Sequence, residues 1–89
     1  MAQVYFPIAL HRYLPEHPVP LAAEQVLEQL LLQLGQQSPT LQQALWLGEQ
    51  LHPTLYLFLN QQQCHWAQIK QRQLSELDQL MIVQPLSGG

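Results

Sequence analysis

The sequence predicts an α+β domain in which a single mixed sheet is covered by one main helix. Three observations lead there. Ala23, Val26, Leu27, Leu30, Leu31 and Leu34 recur at helical spacing and form one apolar stripe, with Glu24, Gln25, Glu28 and Gln29 turned to water. Short apolar segments rich in β-forming residues stand on both sides of that stripe. The chain has 89 residues, 47% of them hydrophobic, which is enough for one modest core and one domain.

In chain order, Val4, Phe6, Ile8 and Leu10 alternate with Gln3, Tyr5, Pro7 and Ala9, which predicts a first strand. Pro7 limits it, because proline removes a ladder donor and favours an edge or a bulge. Pro15, Pro18 and Pro20 break the next stretch, leaving room for a short strand around Val19. Pro20 stands near the start of the amphipathic helix and Gly35 just past its expected end. Ser38-Pro39 has the form of an N-cap followed by proline at N1, opening a shorter helix through Leu41, Ala44 and Leu45. Thr54 to Leu59 predicts a strand covered on both faces, with a turn beginning at Asn60. Cys64 to Lys70 fits a further strand with Cys64, Trp66 and Ile69 inward. Leu80 to Val83 predicts a short buried strand running into Gln84-Pro85.

Composition excludes several functions. Charged residues make up 10% of the chain, against the usual quarter. The three basic residues, Arg12, Lys70 and Arg72, are scattered, and the formal net charge is -3. Nucleic-acid binding needs clustered Lys and Arg to displace counterions, and a polybasic membrane patch needs the same. No apolar run is long enough to span a bilayer. The N-terminal residues lack the basic region of a signal peptide. A single cysteine, Cys64, fits a reducing compartment. The expected location is cytoplasmic.

The chemistry is expected at the other end, in Pro85-Leu86-Ser87-Gly88-Gly89. With Gly at about 7% of residues, a Gly-Gly ending arises by chance roughly 0.5% of the time. The bland alternative is a frayed end. Glycine lacks Cβ, so a Gly-Gly end slides through a channel that a side chain would block. Pro85 stiffens the exit from the last strand.

The segment from Met81 to Gly89 resembles the small subunit of molybdopterin synthase and, more broadly, the ubiquitin-like sulfur carriers that end in Gly-Gly. The shared pattern is an apolar strand, then proline, a small apolar residue, Ser or Thr, and Gly-Gly. The N-terminal strand, the central helix and Leu57-Phe58-Leu59-Asn60 extend the resemblance over most of the chain. It implies a β-grasp (ubiquitin-like) fold over residues 1–84 and a flexible tail over residues 85–89. In such a carrier Gly89 is adenylated and then thiocarboxylated, and Pro85, Leu86, Ser87 and Gly88 enter the partner. The implied partners are an adenylating, ubiquitin-activating-like enzyme that consumes ATP and the large catalytic subunit of molybdopterin synthase. The sulfur then serves molybdenum cofactor biosynthesis. The chain itself is expected to bind no cofactor or metal and to have no active site of its own. Alternatives are a thiamine-pathway or other sulfur carrier, a non-catalytic β-grasp interaction module and a ubiquitin-like modifier. The sequence departs from the family pattern at two turns and in the tail. Gln61 follows Asn60 where glycine is usual, Leu77-Asp78 stands where Gly-Asp is usual, and Gln84 replaces a proline.

Other candidates are ordinary. Cys64 and His65 would point to opposite faces of a strand and so would not act together. His11, His17, His52 and His65 lack the spacing of zinc ligands. Trp46 and Trp66 fit core or rim positions.

Overall fold

The computed structural model describes residues 1–85. Strand β1, Ala2–Tyr5, ends just before Phe6-Pro7, where proline interrupts the ladder. The chain then winds into a 3-10 helix, Ile8–Tyr13, instead of extending the strand. The apolar alternation over-predicts here: Leu10 is buried from the 3-10 helix, whereas Ile8 is 85% exposed. β2, Val19–Leu21, is the short strand expected around Val19, and it pairs antiparallel with β1.

Helix α1, Leu27–Gln37, buries Leu27, Leu30, Leu31 and Leu34. It begins later than the stripe suggests. Val26 is its N-cap and is held in a β-bridge to Gln73, so Ala23 lies in the approach to the helix. Gly35 does not terminate α1 but lies within it. It faces α2, Pro39–Leu45, where a Cβ would collide with the Gln42 side chain. The true stop is Ser38, whose Oγ accepts the Leu41 N–H at 3.3 Å and caps α2, with Pro39 in its first turn. β3, Trp46–Leu47, and β4, Gln50–Leu51, form a small hairpin that the periodicity did not announce. Trp46 closes it against α1 by donating its indole N–H to Leu31 O at 3.3 Å.

β5, Tyr56–Leu59, and β6, Gln62–Cys64, pair antiparallel across Asn60-Gln61. Only one face of β5 is covered: Leu57 is buried, but Tyr56 is 48% exposed. Asn60 and Gln61 have φ of 50° and 73°, the left-handed pair that such a two-residue turn demands. Asparagine accepts this conformation; glutamine does so at a cost. Gln61→Gly is expected to raise stability by up to about 1 kcal/mol, read as a higher urea midpoint at constant m.

The strand expected from Cys64 to Lys70 is instead the end of β6 followed by a one-turn helix, α3, Trp66–Ile69. Trp66 and Ile69 both pack inward because three-residue spacing puts them on one face of a helical turn, whereas on a strand they would face opposite ways. β7, Gln79–Val83, ends the described sheet. The second non-standard turn is tied to the first. Asp78 accepts from the Asn60 amide at 2.8 Å and from the Ser75 N–H at 2.8 Å, while Asn60 Oδ1 accepts the Gln79 N–H at 2.9 Å. The Asn60 amide, then the Ser75 backbone, hold the Asp78 carboxyl below the usual carboxylate range.

The five-stranded sheet has the order β2-β1-β7-β5-β6. β1 and β7 are parallel, and the other pairs are antiparallel. The apolar residues of α1 and α2 join the inner residues of β1, β2, β5 and β7 in one core. This is a β-grasp fold. Among the described residues no helix is long and apolar enough to cross a membrane.

Candidate functional site at the tail exit

β7 lies in the middle of the sheet, paired with β1 as far as Met81 and with β5 as far as Val83. Val4 and Leu59 flank Leu80, and Tyr56 pairs with Val83. The strand alternates: Leu80 and Ile82 are buried, while Met81 is 45% exposed on the face away from the core. The uniformly buried strand expected here is therefore corrected. An apolar run hides an alternation when both faces carry large apolar groups.

On the outer face Tyr5, Met81 and Phe58 stand side by side across β1, β7 and β5, and Val83 and Tyr56 form the next row. No strand of the five-stranded sheet contains a charged residue. Beside these rows, residues 6–9 and 81–85 enclose an open groove of about 620 Å³, with exposed Ile8 on its wall. Pro85, the one predicted tail residue among those described, stands exposed at the end of this groove. Leu86, Ser87, Gly88 and Gly89 lie outside the described residues.

The groove wall is what the sequence reading missed. Its signal was Pro7: a proline ending an apolar alternation turns the following residues out of the sheet. An uncharged apolar face next to a chain exit suits docking by contact area more than by charge steering.

The other candidates resolve differently. Cys64 ends β6, half-buried, and this burial pushes its thiol pKa up, which disfavours the nucleophilic thiolate. Cys64 and His65 line one cavity of about 290 Å³ with His52 and Trp66, but His65 serves as the N-cap residue of α3. His52 Nδ1 is engaged by Thr54 Oγ1 at 2.8 Å. Among the described residues no three His, Cys, Asp or Glu side chains come together as metal ligands. Trp46 and Trp66 meet edge to face at 5.6 Å and pack on the core.

The ThiS family model matches residues 9–89, and so takes in the 3-10 helix after Ile8, α1, β7 and the Gly-Gly ending. The chain belongs to the ThiS family. ThiS proteins are ubiquitin-like sulfur carriers, generally non-catalytic themselves, that typically work with an activating enzyme and a catalytic subunit. No curated protein matches this ThiS-family chain in sequence. Solved structures match it in fold. The small archaeal modifier protein 1 of Methanosarcina acetivorans is 20% identical with a TM-score of 0.71, covering 99% of this chain and 95% of that one. SAMP1 from Haloferax volcanii is 15% identical with a TM-score of 0.67, over 99% and 98% of the two chains. The HVO 2177 protein of the same organism is 13% identical with a TM-score of 0.68, over 99% and 85%.

Proposed function

We propose that this ThiS-family chain carries sulfur as a thiocarboxylate on Gly89 and delivers it as the small subunit of molybdopterin synthase. The observation that supports the carrier reading is the reach of the family match, which includes Gly88-Gly89. The molybdopterin branch is favoured by the resemblance of Pro85-Leu86-Ser87 to that subunit's ending.

A carboxylate is a poor electrophile and has to be activated. In the partner enzyme a carboxylate oxygen of Gly89 attacks the α-phosphorus of ATP and pyrophosphate leaves. A sulfide-level donor then attacks the acyl carbon: the C–S bond forms, the C–O bond to AMP breaks, and AMP departs. The resulting thiocarboxylate sulfur is the nucleophile in the delivery step. The partners' sites supply positioning and charge stabilisation. This chain supplies a slim glycine end, a Pro85 neck and a docking face formed by Tyr5, Phe58 and Met81. ATP is the activating partner's cosubstrate, and the chain acts without an active site of its own.

Intact mass spectrometry tests this after incubation with ATP, an adenylating enzyme and a sulfur donor. Oxygen-to-sulfur exchange localised to Gly89 is expected; no exchange with a partner active on its own carrier overturns the reading. Co-purification with a thiazole-forming enzyme as sole stable partner would move the chain to the thiamine pathway.

A second reading, a protein modifier, is raised by the small archaeal modifier proteins that share the fold. It predicts isopeptide adducts on lysines of other proteins, visible as a ladder on a denaturing gel.

A further inference from the structure

Both backbone polar groups of Phe6 are taken by imidazoles. The Phe6 N–H donates to His17 Nε2 at 2.9 Å, and the Phe6 carbonyl lies 2.8 Å from His11 Nε2. The two rings stack with centroids 3.6 Å apart and planes 27° from parallel. The backbone partners dictate the proton positions. An amide N–H is accepted only by an unprotonated ring nitrogen, so His17 keeps its proton on Nδ1. A carbonyl only accepts, so His11 carries a proton on Nε2. His17 therefore cannot gain a second proton without expelling the Phe6 N–H, and its new charge would sit against the stacked His11 ring.

Phe6 is where the groove wall begins. The segment carrying both histidines, from the 3-10 helix to β2, is thus pinned to the end of β1 by this pair of bonds. We propose that His11 and His17 form a proton-operated latch on the tail-exit groove. With His17 neutral, the latch holds residues 6–18 in place; protonation of His17 opens it and loosens the wall formed by residues 6–9.

The surroundings leave His17 as the group that titrates the latch. From β1, the Tyr5 ring meets it edge-on at 5.7 Å. The 3-10 helix brings His11, with Arg12 set over the exposed Tyr13 ring at 5.5 Å. The following loop brings exposed Glu16. β2, β7 and α2 contain no titratable side chain. Among the described residues no carboxylate forms an ion pair with either imidazole. Partial burial first, then the charge on His11, hold His17 below its ordinary value. The unfolded chain therefore binds this proton more readily than the folded one. The latch contributes fully above pH about 6.5 and is lost as pH falls through the lowered His17 value. Asp78, also held low, loses its contribution only in the more acidic carboxylate range, so the two windows are separable.

The experiment is an NMR titration of the isotope-labelled full chain from pH 8 to pH 5. Observed together are the His17 ring, the Phe6 amide shift and amide protection corrected for intrinsic exchange. The Phe6 amide is expected to move with the His17 midpoint and to lose at least about tenfold protection, while amides of α1 keep theirs. His17→Gln should abolish the step. Should that variant fail to fold, His11→Gln should shift the His17 midpoint upward by removing the stacked ring against which the new charge would sit. A Phe6 amide indifferent to His17 titration, a step surviving in His17→Gln, or an unmoved midpoint in His11→Gln each overturns the latch. The importance of the groove rests on the carrier reading, but the titration needs no partner. A failed latch leaves sulfur exchange at Gly89 untouched, and failed exchange leaves the titration standing.

Discussion

Deleting Gly88 and Gly89 is expected to abolish sulfur acceptance while the melting temperature stays within about 3 °C of the intact protein, the shift that half a kcal/mol produces in a domain of this size. The two effects separate because the residues that stabilise the fold and the residues proposed to react are different sets. The apolar core closes at Ile82, and Pro85 already stands exposed. Removing the last two residues therefore takes away no side chain of the described core. It does remove the carboxylate that the partner must adenylate and the two positions without a Cβ. One extra residue after Gly89 should have the same chemical effect, because the acyl group at Gly89 becomes an unreactive peptide bond. Mass spectrometry of both variants beside the intact chain, with a thermal melt of each, reads the two effects separately. Retained sulfur acceptance in the deletion would refute the assignment of the chemistry to the tail.

The largest stability effect is expected from Leu80→Ala. Leu80 is fully buried, lies in the central strand and is flanked by Val4 and Leu59. Truncating a leucine in a fully buried site between two strands removes its transfer free energy and leaves a cavity, together about 3–4 kcal/mol. A domain of this kind has only about 5–15 kcal/mol in total, so much of that margin goes. Met81→Ala, one residue along on the outer face, should cost under about 1 kcal/mol. Urea denaturation of the pair measures the contrast; equal losses would mean that the two faces of β7 are not distinct in solution.

How far the sequence could be read depended on whether one signal or two acted on a segment. The stripe of α1 and the Ser38-Pro39 cap were legible because periodicity and capping chemistry agreed. The segment after Tyr5 was misread because its alternation and its proline disagreed, and the proline prevailed. The three-residue spacing of Trp66 and Ile69 suits a helical turn and not one face of a strand, but a single pair sets no period. The β3–β4 hairpin is too short to carry a period. The chemistry proposed for the tail rests on residue type alone, so it could be put forward without the fold. The groove beside it was not, since residues 6–9 and 81–85 meet only through the parallel pairing of β1 with β7. Likewise the bonds from His11 and His17 to Phe6 leave no trace in spacing.

That parallel pairing also has a mechanical side. In the proposed role the tip enters one partner after another, and the chain is then pulled by that tip. Traction on Pro85 runs along β7, whose hydrogen bonds to β1 and β5 lie across the direction of pull. Such a load shears both ladders at once, whereas a tail leaving an edge strand crosswise would let the bonds open singly. The tail is thus anchored in a central strand, so that in the proposed role a pull on the tip loads two ladders together.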